Sequence, residues 1–341
     1  MKWIIGLIAL ILVFGCLGWG EQPPVENVND TAIDNNQNTG NGTTVIINPQ
    51  QNQTIEQNGT DDDPPVEPPT IEMDYDENPT ANIGIYFIDV GDDETHGDAI
   101  LIKKGDFDVL VDAGPESNGG KVVDFLRSKS VDDLELVIST NADPRHYGGL
   151  DRVADNYKID HFWWSGDSFN DAEYLAVVNK IKGMSKVTTV VERGFSADYN
   201  GISFEILNPQ SDRFENINND AIVIRVADRG VCTLITSGIQ QGAREKLINE
   251  QTSKTQCEVI QAPYYGVGEG NRNIALFLVK AEPEAMIITG SSNDGPENGG
   301  SREPLLRLLE QYDIDAYKTY ESGTIRITSD GSSYAIQGLG G

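Results

Sequence analysis

The chain of 341 residues carries 54 acidic and 25 basic side chains, which gives it a formal net charge of −29 at pH 7. Proteins that bind along nucleic-acid phosphates use clustered Lys and Arg, so this charge disfavours an extended nucleic-acid track. A local basic groove would have to use the few cations available, and the candidates are Lys103, Lys104, Lys121, Arg127, Lys129 and Arg145. A surface kept soluble by acidic residues is the simpler interpretation.

Residues 1–20 have the pattern of an export segment. Lys2 precedes an uncharged, largely apolar run over residues 3–19, whose length suits a signal segment or a short membrane anchor. The run contains L-V-F-G-C, in which Cys16 follows a small residue, as at the lipidation site of exported lipoproteins. An uncleaved anchor with an incidental cysteine is an equal alternative. Both alternatives predict an extracytoplasmic protein that is anchored to the cell membrane through its N-terminus.

Residues 21–80 have the composition of a disordered acidic stalk. They are rich in Asp, Glu, Asn, Gln, Thr and Pro and contain no Lys or Arg, so little apolar surface is available to offset chain entropy. Four N-x-Thr sequons lie in this part of the chain, at Asn29, Asn41, Asn52 and Asn58. They predict glycosylation of the stalk in a host able to perform it.

Residues 82–341 alternate short β-branched runs with helical patterns, which is typical of a layered α/β domain. Strands are predicted at residues 83–90, 99–103, 107–112, 134–140, 161–164, 186–191, 202–207, 221–227, 231–236, 258–261, 285–289, 316–318, 323–328 and 333–336. Helices are predicted at residues 121–128, 171–183, 242–251, 274–280 and 302–312, where apolar residues recur at intervals of three and four. Two similar halves would form a sheet-on-sheet core with helices outside.

The loop T-N-A-D-P-R-H-Y-G-G-L, at residues 140–150, follows an apolar strand and ends in two glycines and a leucine. A polar loop at the carboxyl end of a buried strand is a common place for chemistry in α/β domains. We expect Arg145 to pair with a neighbouring carboxylate, Asp112 or Asp143, rather than to bind an anion. We expect His146 to be a buried, hydrogen-bonded histidine rather than a catalytic base.

Two other places hold potential ligands. Cys232 and Cys257 lie in apolar, strand-like runs, so buried free thiols are preferred to a disulfide between neighbouring strands. The run D-D-E-T-H at residues 92–96 favours an exposed acidic loop with a solvated histidine. The alternative is a remodelled site for a hard cation such as calcium or magnesium, built from Asp92, Asp93, Glu94, His96, Asp143 and His146.

Five segments carry a family resemblance: I-D-V-G at 88–91, G-D-A-I-L-I at 97–102, V-L-V-D-A-G at 109–114, N-D-A-I-V-I-R-V at 219–226 and G-T-I-R-I-T-S-D-G at 323–331. In this order they resemble the metallo-β-lactamase domain of the ComEC competence family, with residues 92–96 as an insertion. The resemblance covers about residues 82–341. It implies an αββα sandwich, in which two mixed sheets pack face to face with helices outside.

The resemblance also implies a site in which histidines and aspartates hold two metal ions. The corresponding positions of this chain are Asn141, Asp143, Arg145, His146, Gly238, Tyr264 and Tyr265, so only His146 is retained. Gly238 offers no ligand, and Arg145 brings a fixed positive charge. At about 4 Å and an effective dielectric constant near 20, that charge opposes each unit of metal charge by roughly 4 kcal/mol. We therefore expect no metal or other cofactor at the ancestral position, whereas an active enzyme would need one or two divalent cations.

Three functions fit this sequence. The first is a pseudo-hydrolase, a tethered domain that has lost its metals and binds a surface partner, a glycan or another ligand. The second is a metal-dependent hydrolase, similar to a phosphodiesterase or nuclease and acting on extracellular DNA, with a site rebuilt around His146, Asp143 and Asp112 and possible help from His96. The third is a scaffold without a cleft function, which predicts Trp163 and Trp164 on an exposed face.

Overall fold

A computed structural model describes residues 43–44, 73–91, 96–267, 271–292 and 300–340. All of these residues belong to the unit that spans Gly40–Gly341. The predicted export segment with Cys16 lies outside the described residues, as do the sequon asparagines Asn29, Asn41, Asn52 and Asn58. Among the residues that are described, no helix is long and apolar enough to cross a membrane.

The first sheet is mixed and has nine strands in the described residues. In spatial order these are β1 (Thr43–Thr44), β7 (Val187–Val190), β6 (Ile159–Trp164), β5 (Leu134–Ser139), β4 (Phe107–Val111), β3 (Ile100–Lys104), β2 (Ile83–Phe87), β15 (Ile325–Ser329) and β16 (Tyr334–Gly338), numbered along the chain. The strands from β4 to β7 run parallel, so the loops that follow them lie along one edge. The strands from β4 through β2 to β16 are antiparallel.

The second sheet is also mixed, and its seven strands follow one another in space in the order of the chain. They are β14 (Asp315–Lys318), β13 (Ala285–Ile288), β12 (Val259–Gln261), β11 (Val231–Ile235), β10 (Val223–Asp228), β9 (Ile202–Asn208) and β8 (Ser196–Tyr199). The pairs between β8 and β11 are antiparallel, and those between β11 and β14 are parallel. Strand β8 was not predicted, because its S-A-D-Y sequence is half-exposed at the edge of the sheet.

Nine helices lie in the described part of the chain. They are α1 (Gly119–Ser128), α2 (Pro144–Tyr147), α3 (Leu150–Ala154), α4 (Ala172–Met184), α5 (Gln241–Glu250), α6 (Thr252–Thr255), α7 (Asn271–Ala281), α8 (Glu303–Gln311) and α9 (Thr319–Ser322). The five longer helices agree with the predicted ones to within a few residues. The four short helices span only four or five residues each, too few to show a helical period in the sequence.

Three apolar clusters divide the domain into four layers. Ile102 and Val109 of the first sheet meet Ile224 and Ile287 of the second in the central cluster. Alternate residues point the other way, because successive side chains of a strand face opposite sides. Leu101, Leu110 and Val137 therefore pack on Val122, Val153 and Val178 of α1, α3 and α4, and Leu234 and Met286 pack on Leu247, Phe277 and Leu309 of α5, α7 and α8. The predicted αββα sandwich is confirmed.

Both neighbouring tryptophans are buried, so the prediction of an exposed aromatic face is wrong. Trp163 is 1% exposed and lies between the sheets, whereas Trp164 is 8% exposed and lies under the helices. Consecutive residues of β6 point to opposite faces, and each face of this sheet is covered.

Cys232 and Cys257 form a disulfide with a Cα–Cα distance of 5.1 Å, so the preference for free thiols is wrong. Cys232 lies in β11, and Cys257 lies two residues before β12, the parallel neighbour of β11. Free thiols and a disulfide can both be buried, so burial does not tell them apart. The pairing of β11 with β12 decides, because it brings the two cysteines together.

The end of the predicted stalk packs on the domain. Met73 and Tyr75 are partly buried against the central cluster. The backbone N–H of Asp74 donates to Asp160 at 2.9 Å, and that of Asn78 donates to Asn200 at 2.7 Å. The folded domain therefore includes residues 73–80 and the two-residue strand β1, which the composition assigns to the stalk.

Candidate functional site

His146 lies at the centre of the altered motif and is completely buried. Its Nδ1 is 2.8 Å from Oδ2 of Asp112, which follows β4. Thr140, directly after β5, donates to the same carboxylate through its backbone N–H at 2.8 Å and its hydroxyl at 2.5 Å. Because β4 and β5 are parallel neighbours, their polar ends meet and fix the imidazole ring.

The segment from Asp143 to Tyr147 folds as a short capped helix. Asp143 is the N-cap, its carboxylate accepts the backbone N–H of Arg145 at 2.9 Å, and Pro144 takes the first helical position. These are the residue types that favour a helix start. The carboxylate also accepts Nε of Arg145 at 2.9 Å and Nη2 at 2.5 Å. The expectation that Arg145 pairs with a neighbouring carboxylate is confirmed, and its partner is Asp143.

His96 is buried, with 1% of its surface exposed, so the prediction of a solvated histidine is wrong. Burial, reinforced by the charges of Arg145 and Arg302, lowers the pKa of His96 to about 3. The neutral ring accepts Nη1 of Arg145 at 2.9 Å and lies edge-on to Tyr265, 4.3 Å between ring centroids. His96 therefore holds the guanidinium of Arg145 in place. Asp92, Asp93 and Glu94 lie outside the described residues.

Tyr264 and Tyr265 stand at two positions where the family that this chain resembles carries neighbouring histidines. The hydroxyl of Tyr265 is 2.7 Å from Nε2 of His146, and its ring lies 5.1 Å from the guanidinium carbon of Arg145. The ring centroid of Tyr264 lies 5.6 Å from the same guanidinium carbon. Both residues have left-handed backbone angles, with φ of 48° and 58°, which bulky side chains rarely adopt. The surrounding contacts therefore impose this conformation.

Gly238 follows β11, where the resembling family carries a bridging aspartate. A Cβ atom at Gly238 would lie 2.9 Å from Nδ2 of Asn141 and 2.9 Å from Oδ1 of Asn218. Neither of these amide atoms has a hydrogen-bond partner in the described residues. The two amides thus take the space in which an aspartate side chain would begin.

Opposite charges compensate one another inside the site. Burial would lower the pKa of His146, but the charge and hydrogen bond of Asp112, together with Asp98, raise it. Burial raises the pKa of Asp98, whose Oδ1 accepts the hydroxyl of Thr289 at 2.6 Å. For Asp143, burial is outweighed by its bonds to Arg145 and by the charge of His146, and its pKa falls to about 2. Asp143 is therefore neutralised by Arg145, while the raised pKa of His146 favours a proton on the ring beside Asp112.

The donor set does not fit two metal ions. A zinc ligand must offer a free lone pair, yet both nitrogens of His146 are engaged. Asp143 is occupied by Arg145, and Gly238 has no side chain. In the part of the chain that is described, no group of three or more His, Cys, Asp and Glu side chains is arranged to hold a metal ion.

The structure brings together most of the predicted site residues. His146 contacts Asp112 directly, while Asp143 is turned toward Arg145. Sequence reasoning missed the supporting residues Asp98, Thr140, Ser237 and Thr289. Asp98 and Thr140 lie inside the quoted motifs, so the family pattern could have pointed to them. The hydroxyl of Ser237 is 2.7 Å from that of Thr140. Ser237 could not be recognised from the family pattern, because the next residue, Gly238, stands where the family carries its aspartate.

The candidate cations for a basic groove are mostly engaged elsewhere. Lys104 is buried and pairs with Asp228 at 2.8 Å. Lys103 pairs with Asp108 at 2.7 Å, and Arg127 pairs with Asp124 at 3.3 Å. With Arg145 bound to Asp143, four of the six candidate cations are neutralised by carboxylates.

No protein-family profile matches the chain. Two solved structures have a similar backbone at very low sequence identity. The metallo-β-lactamase fold protein YhfI from Bacillus subtilis is 10% identical and has a TM-score of 0.49, with 69% of this chain and 95% of that chain covered. The metallo hydrolase Igni18 from Ignicoccus hospitalis is 11% identical and has a TM-score of 0.46, with 71% and 98% covered.

Two curated proteins are similar in sequence. ComE operon protein 3 of Bacillus subtilis is 21% identical over 213 residues, which are 62% of this chain and 27% of that protein. The four-layer architecture, the ordered motifs and this relative agree. The folded part is a ComEC-like metallo-β-lactamase-fold domain. The uncharacterized protein YcaI of Escherichia coli is 22% identical to the chain over 266 residues, which are 75% of this chain and 31% of that protein. The chain thus spans less than a third of the length of each of these two relatives.

Proposed function

We propose that this protein is a membrane-tethered, extracytoplasmic pseudo-hydrolase, in which a ComEC-like metallo-β-lactamase-fold domain binds a partner or ligand and does not hydrolyse it. The observation that carries the proposal is the 2.7 Å contact between the Tyr265 hydroxyl and Nε2 of His146. A metal ion bound by His146 would need the lone pair of Nε2. The buried Tyr265 hydroxyl would have to move away from this nitrogen first.

The charges of the site support the same proposal. Asp98 and Asp112 are buried carboxylates, which need positive charge nearby. In a metal enzyme the dications supply this charge, whereas here Nδ1 of His146 lies 2.8 Å from Asp112 and 3.6 Å from Asp98, and the raised pKa of His146 favours its protonated form. An added dication about 4 Å from Arg145 would be opposed by roughly 4 kcal/mol for each of its unit charges. Arg145 and His146 thus supply positive charge to the site without a metal, although Oδ2 of Asp98 and Nδ2 of Asn141 have no hydrogen-bond partner in the described residues.

Export and tethering rest on different features. The uncharged run at residues 3–19 and the acidic stalk after it suit a protein held outside the membrane. The Cys232–Cys257 disulfide is also typical of an oxidising compartment. Cys16 is the proposed lipid attachment site in this arrangement, and Asn29, Asn41, Asn52 and Asn58 are the proposed glycosylation sites.

A hydrolysis assay on the full-length protein tests the loss of activity. Bis(p-nitrophenyl) phosphate and double-stranded DNA serve as substrates, with zinc or manganese added. We expect no turnover above the metal-only blank and no difference between the wild type and His146→Ala. Metal-dependent turnover that His146→Ala abolishes would contradict the proposal and support the alternative hydrolase, in which Asp112 orients His146 as the base.

A further inference from the structure

An open cleft of about 420 Å³ lies beside the altered site. One wall is the loop after β6, with Asp167, Phe169 and Asn170, and the other is the loop before β10, with Arg213, Glu215 and Asp220. The second loop adjoins the altered site, since the N–H of Ile222 donates to the carbonyl of Thr140 at 2.8 Å. The volume of the cleft lies within the usual range for small-molecule pockets.

The backbone of the cleft is left-handed at three positions, and strained at two of them. Phe169, Asn170 and Glu215 have left-handed φ angles of 50°, 59° and 55°. Asparagine tolerates this conformation, but phenylalanine and glutamate adopt it rarely. Such strain persists only where the surroundings impose it, and it is concentrated at ligand-binding sites.

The polar groups of the cleft are largely compensated, yet they keep hydrogen-bonding capacity. Nε of Arg213 is 3.1 Å from Oδ2 of Asp167, and Nη2 donates to the carbonyl of Ser165 at 3.0 Å. Asp220 accepts the backbone N–H groups of Phe214 and Asn216. The side chains of Arg213 and Asp167 remain 21% and 33% exposed, and both line the cleft. A donor and a carboxylate therefore lie side by side.

We propose that this cleft binds a neutral, hydroxyl-rich ligand, a short oligosaccharide. The inference rests on the proposed function, because it names the ligand class of the same binding domain. Three carboxylates oppose one guanidinium in the lining, which disfavours phosphate and sulfate groups. Adjacent sugar hydroxyls both donate and accept, so they complement the Asp167–Arg213 pair, and Phe169 adds an apolar surface for a sugar ring.

A titration followed by isothermal calorimetry and by NMR tests the cleft in the full-length protein. The probes are cellotriose, maltotriose and triacetylchitotriose, together with inorganic phosphate and spermidine. We expect at least one trisaccharide to bind saturably and to shift the amide resonances of residues 166–170 and 213–220. Asp167→Asn and Arg213→Met each weaken this binding by at least about tenfold, because each removes one half of the pair.

Asp212→Asn is the matched control, since the Asp212 side chain is 92% exposed in the same loop and does not line the cleft. Its affinity should equal that of the wild type, and thermal unfolding verifies that all three variants are folded. The proposal is overturned if no trisaccharide binds at about 10 mM, if only phosphate or spermidine binds, or if Asp167→Asn and Asp212→Asn behave alike. Such a result in a protein without hydrolase activity overturns the sugar site alone, whereas metal-dependent turnover overturns the proposed function.

Discussion

The hydroxyl of Tyr265 lies 2.7 Å from Nε2 of His146, while Nδ1 of the same imidazole lies 2.8 Å from Oδ2 of Asp112. The retained histidine of the motif is thus held at both nitrogens by groups of the protein itself. Arg302 supports this arrangement from behind, because its Nε donates to the carbonyl of Tyr265 at 2.8 Å. The histidine at a ligand position of the resembled family is here part of a hydrogen-bonded network.

Tyr265→Phe should destabilise the domain. The substitution keeps the ring but leaves Nε2 of the buried His146 without its partner, which costs about 1 to 3 kcal/mol of unfolding free energy. Urea denaturation measures the loss. Tyr312→Phe is the matched control, because Tyr312 is 40% exposed and should lose almost nothing. Equal stability of the two variants would show that the contact is unimportant.

Lys104→Met should be more harmful than the loss of a surface cation. Lys104 in the first sheet and Asp228 in the second form a buried ion pair at 2.8 Å, and removal of one partner leaves a buried charge. Arg229 also contacts Asp228, so we expect a loss of about 3 kcal/mol, at the lower end for such pairs. The control is Lys180→Met, since Lys180 is 34% exposed in its pair with Asp151. This change should lower the unfolding free energy by at most about 1 kcal/mol. Similar losses would refute the buried pair.

The disulfide predicts a specific pattern of thiol reactivity and stability. Alkylation of the unfolded, unreduced protein should label neither Cys232 nor Cys257, as read by mass spectrometry. Because the two cysteines are 25 positions apart in the sequence, the double change to alanine should lower the unfolding free energy by about 3 kcal/mol. Cys232→Ala alone should cost as much, since either change removes the same bond. Free thiols in the exported protein would disprove the pairing.

Glu135 should make stability depend on pH. Burial, with the charges of Asp133 and Asp108, raises its pKa to about 8 in spite of backbone hydrogen bonds. Its unfolded pKa is about 4.3, so the folded state holds the proton more tightly. This contribution is complete below about pH 4 and is lost as the pH rises toward 8, by at most about 1.4 kcal/mol per unit.

Glu135→Gln should therefore flatten the dependence of the unfolding free energy on pH between about 4 and 8. Urea denaturation at several pH values measures it. Glu303→Gln, whose side chain is 58% exposed, should leave the pH profile unchanged. An unaltered slope in Glu135→Gln would mean that Glu135 titrates normally.

Most of the fold could be predicted from the sequence, because the central strands, such as Phe107–Val111 and Leu134–Ser139, are buried on both faces and are largely apolar. The exceptions lack such a signal. Ser196–Tyr199 is a polar edge strand, and Pro144–Tyr147 is one turn stabilised by the cap of Asp143. Trp163 and Trp164 were misplaced because the sequence alone does not reveal that helices cover the second face of β6.

The site was predicted less completely. The motif identified the altered ligand positions, and the contact between Arg145 and Asp143 followed from their proximity in the chain. Neither motif nor composition reveals that His96 lies under Arg145 or that Tyr265 reaches His146, since these pairs are separated by 49 and 119 residues. Only the close approach of three loops brings them together.

The zinc content of the untagged, full-length protein tests the central claim most directly. The protein is incubated with excess zinc, dialysed, and measured by inductively coupled plasma mass spectrometry. Because Tyr265 and Arg145 occupy the ligands that a metal would use, we predict far less than about one zinc ion per chain. A stoichiometry near two ions per chain, as in a two-metal hydrolase, would contradict the account.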